Sequence, residues 1–271
     1  DEWDSTMNYR MRRGILGFAI NDDYQDNDSL GDTTIFSLTP TQFNGVVQAL
    51  AEDTPPMAFY AMMNLLDSHD TSRLPFVLGN DPQLQRLAAL TQFTLPGAPT
   101  IYYGDEVAID APSLVDGNGA LQDDPYNRAP YPWTDTSGNF YPAPNDDMLS
   151  YYQMLGTMRR DNPALREGHM TTLVADDASG IYAFLRVAPE SGNAALVVLN
   201  NSGSEQTVTL WLDRILPYSL TMISPLTGNE IETSSGGVTV VVPANGGDVW
   251  MVTVTDSAFD GPQPPTGVTA A

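Results

Sequence analysis

Two short apolar runs bracket one helical stretch, and that order constrains the fold more than any other feature of the chain. Met63-Asn64-Leu65-Leu66 comes before the helix and Thr100-Ile101-Tyr102-Tyr103 after it. Between them Asp81 and Pro82 supply an N-cap and a first helical residue, and Leu84, Leu87, Ala88 and Leu95 form a buried stripe. Strand, helix, strand implies parallel pairing through a right-handed crossover, because a right-twisted strand feeding a right-handed helix folds back onto its sheet in one sense only. Upstream, Met11, Ile15, Leu16 and Phe18 mark a helix over residues 10–20. Phe43, Val46, Val47 and Leu50 mark another after Pro40, and PPMAFYAMM continues as helix after its proline pair. Further on, Asp146 or Asp147 caps a helix carrying Met148, Tyr151, Tyr152, Leu155 and Met158 on one side, ending near Arg159-Arg160.

From about residue 165 the pattern changes from helices to strands and turns. Ile181–Val187, Ala194–Leu199, Gln206–Leu212, Val238–Val242 and Val249–Val254 are strand runs, punctuated by Asn201-Ser-Gly, Thr227-Gly-Asn and Asn245-Gly-Gly. Strands at this spacing make an antiparallel β-sandwich, so the expected fold class is α/β plus all-β. Residues 104–145 form a long Pro/Gly/Asp-rich loop without periodicity, whose aromatic residues argue against simple disorder. Residues 256–271, ending in GPQPPTGVTAA, have the composition of a linker.

Charge and cysteine usage remove several function classes. The formal net charge is -23, and all 11 basic residues are arginine. A polyanion of that size lacks the basic face that phosphate neutralisation needs, so nucleic acid is not an expected partner. The acidity suits a secreted protein, extracellular or at the cell surface. There is no Cys, hence no disulfide framework, zinc-thiolate site or thiol nucleophile, and only His69 and His169 are available as imidazoles. No apolar run approaches the roughly 18 to 20 residues a membrane-spanning helix requires, so no membrane is expected as a partner. Hydrophobic residues at 42% suffice for a packed core.

Three segments carry candidate chemistry. Ser68-His69-Asp70-Thr71 follows a buried strand, at the end of a parallel unit where catalytic groups gather. A carboxylate beside an imidazole can hold adjacent sugar hydroxyls; the plainer alternative is that Asp70 caps a turn and His69 is a satisfied buried residue. Asp124-Pro-Tyr-Asn-Arg128, followed by Ala-Pro-Tyr-Pro-Trp133, sets an acid and an arginine four apart among aromatics. That combination suits carbohydrate, whose hydroxyl pairs meet charged ends and whose C–H faces stack on rings, although a loop-pinning ion pair explains it equally well. Gly97-Ala-Pro99-Thr-Ile101-Tyr-Tyr103-Gly104-Asp-Glu106 reads as structural, with glycines turning the chain tightly at both ends of a strand. Asp123 with Asp124, or Asp146 with Asp147, could offer oxygens to calcium, but acidic pairs are more often caps or solvated surface, and no cofactor is expected.

Taken together and in order, these segments resemble the C-terminal half of an α-amylase superfamily glycoside hydrolase, in its neopullulanase/cyclomaltodextrinase-like branch. LLDSHDT with Arg73 resembles that family's region at the seventh strand of a (β/α)8 TIM barrel, and GAPTIYYGDE its eighth. DPYNRAPYPW resembles the loop that follows, RRDNPALREG the passage into a C-terminal β-domain, and WDSTMNYRMRRGIL the sixth strand and helix. The tail PPTGVTAA is similar to the start of a fibronectin type III module.

The resemblance implies that residues 1–163 are the C-terminal part of the barrel, about strands six to eight, and that 164–255 form an antiparallel β-sandwich. It implies that Asp70 is the catalytic-site carboxylate that binds hydroxyls at the cleavage subsite and favours an oxocarbenium-like ring. His69 would bind the same sugar, and Asp124 and Arg128 a glucose towards the non-reducing end. Arg73 is a lesser substrate-binding candidate, orienting the loop. The nucleophile and the acid/base of this family lie on the fourth and fifth strands, and no segment before Asp70 matches either. The expectation is a piece of a larger retaining enzyme acting on an α-glucan or maltooligosaccharide, inactive alone. Its open sheet edges would be covered by a missing N-terminal barrel half or a second copy. The alternative is a non-catalytic glucan-binding or structural module.

Overall fold

The computed structural model describes residues 6–28, 31–110, 114–115, 121–122, 124–133, 144–212, 215–216, 220–233 and 236–253. The expectations for Asp123 and for residues 256–271 lie outside these described residues. α1 (Tyr9–Ala19) starts at Asn8, whose side chain accepts from the Met11 amide at 3.0 Å. Just before it, Met7 forms a parallel bridge to Met63. A hairpin of β1 (Tyr24–Asp28) and β2 (Gly31–Ile35) leads to α2 (Pro40–Asp53), which opens on a capping box between Thr39 and Gln42. α3 (Pro56–Ala61) then delivers the chain to β3 (Met63–Leu65). A single turn, α4 (Leu74–Val77), precedes α5 (Pro82–Thr94), capped by Asp81, which accepts from Gln83 N at 2.8 Å. β4 (Ala98–Thr100) returns parallel to β3, with Met63 opposite Ala98 and Leu65 opposite Thr100.

The strand expected over residues 100–103 therefore lies two residues earlier. Tyr102 and Tyr103 leave it because their hydroxyls donate to loop carbonyls and the Tyr103 carbonyl accepts from Arg73. Gly97 stands just before the strand with φ of 109°, and a Cβ there would lie 2.5 Å from Asn64 Nδ2. Two short segments, β5 (Leu114–Val115) and β6 (Leu121–Gln122), pair within the long loop.

α6 (Asp146–Asp161) is capped by Asn145, which accepts from Met148 N at 3.0 Å, rather than by either aspartate. Asp146 and Asp147 occupy its first turn, where carboxylates complement the exposed amides of the helix N-terminus. Met148, Tyr152, Leu155 and Met158 are buried as their spacing predicts. α7 (Pro163–Glu167) links to the β region. There β7 (His169–Asp176), β8 (Ile181–Ala188) and β9 (Asn193–Asn200) form successive antiparallel pairs. β10 (Gln206–Trp211), β11 (Thr221–Ile223), β12 (Glu230–Glu232), β13 (Gly237–Val242) and β14 (Gly246–Thr253) complete it. One six-stranded antiparallel sheet runs β12-β11-β14-β9-β8-β7, and β10 and β13 form a separate ribbon.

Every residue of β8 is buried, because the sheet is covered on both faces. Ile181, Ala183 and Leu185 pack with Leu210, Val238 and Val240 of the ribbon. Tyr182 and Phe184 point the other way into the helical core. There Phe43 stacks on Phe18 at 4.8 Å between ring centroids and meets Tyr182 edge-on at 5.2 Å. The helical and β regions thus share a continuous core that holds the parallel strands rigidly against the sheet. Arg159 and Arg186 strengthen that junction from inside. Arg159 donates to the Phe93 and Leu95 carbonyls, and Arg186 to those of Thr94 and Gly168, so the C-terminal carbonyls of α5 are capped by two buried guanidiniums.

Candidate active site

The site is built at the end of β3, where the chain leaves the core. Leu65, Leu66, Asp67 and Ser68 are buried, and the turn that follows is tied by its own side chains. Ser68 N donates to Thr71 Oγ1 at 2.9 Å, Asp70 N donates to Ser68 Oγ at 3.1 Å, and Tyr9 hydrogen-bonds the same Ser68 hydroxyl at 3.2 Å. Asx- and Ser-type bonds of this kind fix a turn in place of a helix or strand. The turn presents His69 and Asp70 to solvent, with the Asp70 side chain 33% exposed.

The long loop meets this turn from the other side. A short 3-10 turn over Tyr126–Arg128 follows a cis Asp124–Pro125 peptide. Arg128 Nη1 lies 2.6 Å from Asp124 Oδ1, four residues back, and Arg128 Nη2 reaches Asp70 Oδ1 at 3.6 Å. His69 Nε2 is 3.2 Å from that same Asp70 oxygen. Four expected site residues, His69, Asp70, Asp124 and Arg128, thus converge on one exposed cluster. The Asp124 hydrogen bond, with Coulombic pulls from Asp124 and Asp70, raises the Arg128 guanidinium above its ordinary value. Trp133 stands 67% exposed a few residues on, its ring 4.6 Å from that of Tyr131.

Arg73 does not join them, and its expected place among the substrate-binding residues is corrected. Its side chain is fully buried, so no sugar arriving from solvent can touch it. Arg73 Nη1 donates to the Tyr103 carbonyl at 2.6 Å, and its guanidinium lies 4.3 and 4.6 Å from the ring centroids of Tyr102 and Tyr103. It also stands 4.0 Å from Asp67 Oδ2. Arg73 therefore supports the floor beneath the cluster.

That floor contains two carboxyls that sequence reasoning did not single out. Asp67 and Asp105 are both buried and near enough for each to shift the other's titration. Burial raises Asp67 above the usual carboxylate range, against the pull of Arg73. Burial and the neighbouring Asp67 raise Asp105 well above it. Two adjacent buried carboxyls cannot both ionise readily, so the pair is held towards its protonated form, with Asp105 pushed up the further. Asp67 Oδ2 accepts from Leu74 N at 2.9 Å, and the Asp105 carbonyl accepts from Gln85 Nε2 at 2.8 Å. Four-letter motifs do not reveal which acid of Asp67 and Asp70 is buried; only the register of β3 against β4 does.

Among the described residues, no group of three or more His, Asp or Glu could hold a metal ion. Asp124 is committed to Arg128, and Asp146 and Asp147 to the start of α6.

Residues 1–168 match the family described as alpha amylase, catalytic domain. The chain belongs to the α-amylase family. Its likeness extends to individual members of the branch expected from the ordered motifs. A cyclomaltodextrinase from a Bacillus species is 33% identical over 209 residues, covering 77% of this chain and 32% of that enzyme. Neopullulanase 2 of Thermoactinomyces vulgaris is 29% identical over 251 residues, covering 92% of this chain and 37% of that protein. A solved cyclomaltodextrinase structure shares the fold with a TM-score of 0.73 at 27% identity, covering 92% of this chain and 37% of its own. The chain thus spans about a third of the length of these relatives.

Proposed function

We propose that this chain forms one wall of the substrate cleft in a retaining glycoside hydrolase acting on α-glucans, and that it grips sugar rather than breaking the bond. The observation that carries the reading is the meeting of His69 and Arg128 on a single oxygen of Asp70, with Asp124 on the other arm of the same guanidinium. Carboxylate, imidazole and guanidinium placed edge to edge offer acceptors and donors at the spacing of neighbouring hydroxyls on a pyranose ring. Asp70 binds hydroxyls at the cleavage subsite and favours charge building on the ring as it flattens. His69 holds the same sugar, and Asp124 with Arg128 holds the next glucose. Tyr131 and Trp133 offer ring faces to the sugar's C–H surface.

A retaining glycosidase needs two carboxyls about 5 to 5.5 Å apart, one as nucleophile and one as proton donor. Asp70 and Asp124 are instead bridged by one cation, an arrangement that clamps a ligand and donates no proton. The reading therefore assigns nucleophile and acid/base to other parts of a longer enzyme, with residues 1–163 as the last strands of its barrel and 164–255 as a β-sandwich. Support comes from β4, which among the described residues pairs only with β3, and from Met7, Met63 and Ile101, apolar side chains left exposed beside these parallel strands. Strands of a preceding barrel half would cover them.

Isothermal titration of the 271-residue chain with maltoheptaose, alongside a maltooligosaccharide hydrolysis assay, tests both parts. The expected result is weak binding that Asp70→Ala or Arg128→Ala abolishes, with no turnover. Hydrolysis by the isolated chain would overturn the division of labour, and undiminished binding by both variants would overturn the site.

A further inference from the structure

Within the loop that carries Asp124 and Arg128, one side chain faces inward. Asn127 is 2% exposed, and its Nδ2 donates to the His69 carbonyl at 2.7 Å. The donor assignment follows from chemistry, since a carbonyl only accepts; the amide oxygen, Oδ1, is buried with no hydrogen-bond partner. The His69 carbonyl belongs to the peptide that joins His69 to Asp70, so whatever fixes its direction fixes the backbone from which the Asp70 carboxylate projects. The same short turn is pinned twice more from beneath. Tyr102 donates its hydroxyl to the Asn127 carbonyl at 3.2 Å, and Tyr103 donates to the Ala129 carbonyl at 2.8 Å. Both rings lie under the buried Arg73 guanidinium.

We propose that Asn127 is a positioning residue that locks the Asp124–Arg128 loop onto the His69–Asp70 turn and so sets the spacing between the two neighbouring sugars that these segments hold. The inference rests on the sugar-gripping role proposed above. One surface contact between the two segments is the Arg128–Asp70 pair, which at 3.6 Å and with both side chains partly exposed is weak and screened. A buried neutral amide donating to that backbone carbonyl supplies the directional constraint that the ion pair lacks. Arg73, Tyr102 and Tyr103 transmit the rigidity of the core to the loop, and Asn127 passes it to the turn that bears Asp70.

The test uses the full chain with Asn127→Leu, which keeps the branched outline but removes the donor, and Asn127→Ala, which removes both the donor and the bulk. Three quantities are read: the maltotriose dissociation constant, amide hydrogen exchange at Asp70 and Thr71, and the thermal midpoint. Both variants should weaken maltotriose about tenfold and speed exchange at the turn by more than at the β8–β9 core, with a fall of a few degrees in midpoint from the lost hydrogen bond. Should Asn127→Leu fail to fold, Asn127→Ala alone decides the point. Unchanged affinity and unchanged exchange in a folded variant would overturn the proposal, as would exchange that rises everywhere in step with a lower midpoint. If the unaltered chain binds no maltotriose, the sugar-gripping reading fails, while exchange at Asp70 and Thr71 still decides whether Asn127 orders the turn.

Discussion

Replacing Arg73 by methionine should destabilise the chain more than any single change at the exposed cluster. The guanidinium is fully buried, donates to the Tyr103 carbonyl, covers two tyrosine rings and faces Asp67 at 4.0 Å. Methionine fills most of the volume but supplies none of these. Removing one member of a buried ion pair costs about 3–5 kcal/mol, because the other charge stays behind unpaired. At about 2–4 °C per kcal/mol for a chain of this size, that is a fall of roughly 10 °C in Tm. The loss should depend on pH. Arg73 is the main influence opposing the upward push of burial on Asp67, so its removal raises that carboxyl further. A carboxyl whose folded pKa exceeds its unfolded value, about 3.9, destabilises the fold progressively as pH rises from there through the folded pKa. The deficit of Arg73→Met relative to the unaltered chain should therefore be smaller near pH 5 than at pH 8. Urea unfolding of both proteins at the two pH values measures this. A deficit under about 1 kcal/mol, or one equal at both pH values, would refute the account of a charged floor under the site.

Two further outcomes follow from the same architecture. Asp105→Asn mimics a protonated carboxyl; because the folded Asp105 pKa is raised, the unaltered chain loses stability as pH climbs past 4, and the variant should match or exceed it in urea midpoint at pH 8. Gly97→Ala should lower stability by at least about 1–3 kcal/mol through backbone strain alone, as φ is 109° there, with the clash against Asn64 adding to it; a calorimetric midpoint within error of the parent would contradict this.

What could be read from the residues, and what could not, divides along a physical line. β8 and β9 are plain as strands because both faces are buried, which leaves an unbroken apolar run. β7 escapes notice because His169–Asp176 is only half-buried along most of its length, so His-Met-Thr-Thr carries no apolar run. α5 is legible down to its cap, since Asp81-Pro82 is a local signal. At α6 three acceptors, Asn145, Asp146 and Asp147, compete for one cap, and the letters do not choose among them. The Asp124–Arg128 pair is visible as a spacing of four, whereas its meeting with Asp70 joins segments more than fifty residues apart and depends on how β3 and the loop pack. Arg73 lies three residues beyond Asp70 and looks equally available, yet burial separates their roles. Exposure is a tertiary property, and a polar motif states its chemistry without stating which of its side chains reaches solvent.

The most direct test of the gripping cluster is to map where a maltooligosaccharide lands. Titrating the isotope-labelled chain with maltoheptaose and following backbone amide and arginine side-chain resonances should give shifts concentrated in residues 68–71 and 124–133, with the Arg128 guanidinium signal among the largest. Shifts gathered on the β-domain, or an Arg128 signal that does not move at saturating sugar, would contradict the account.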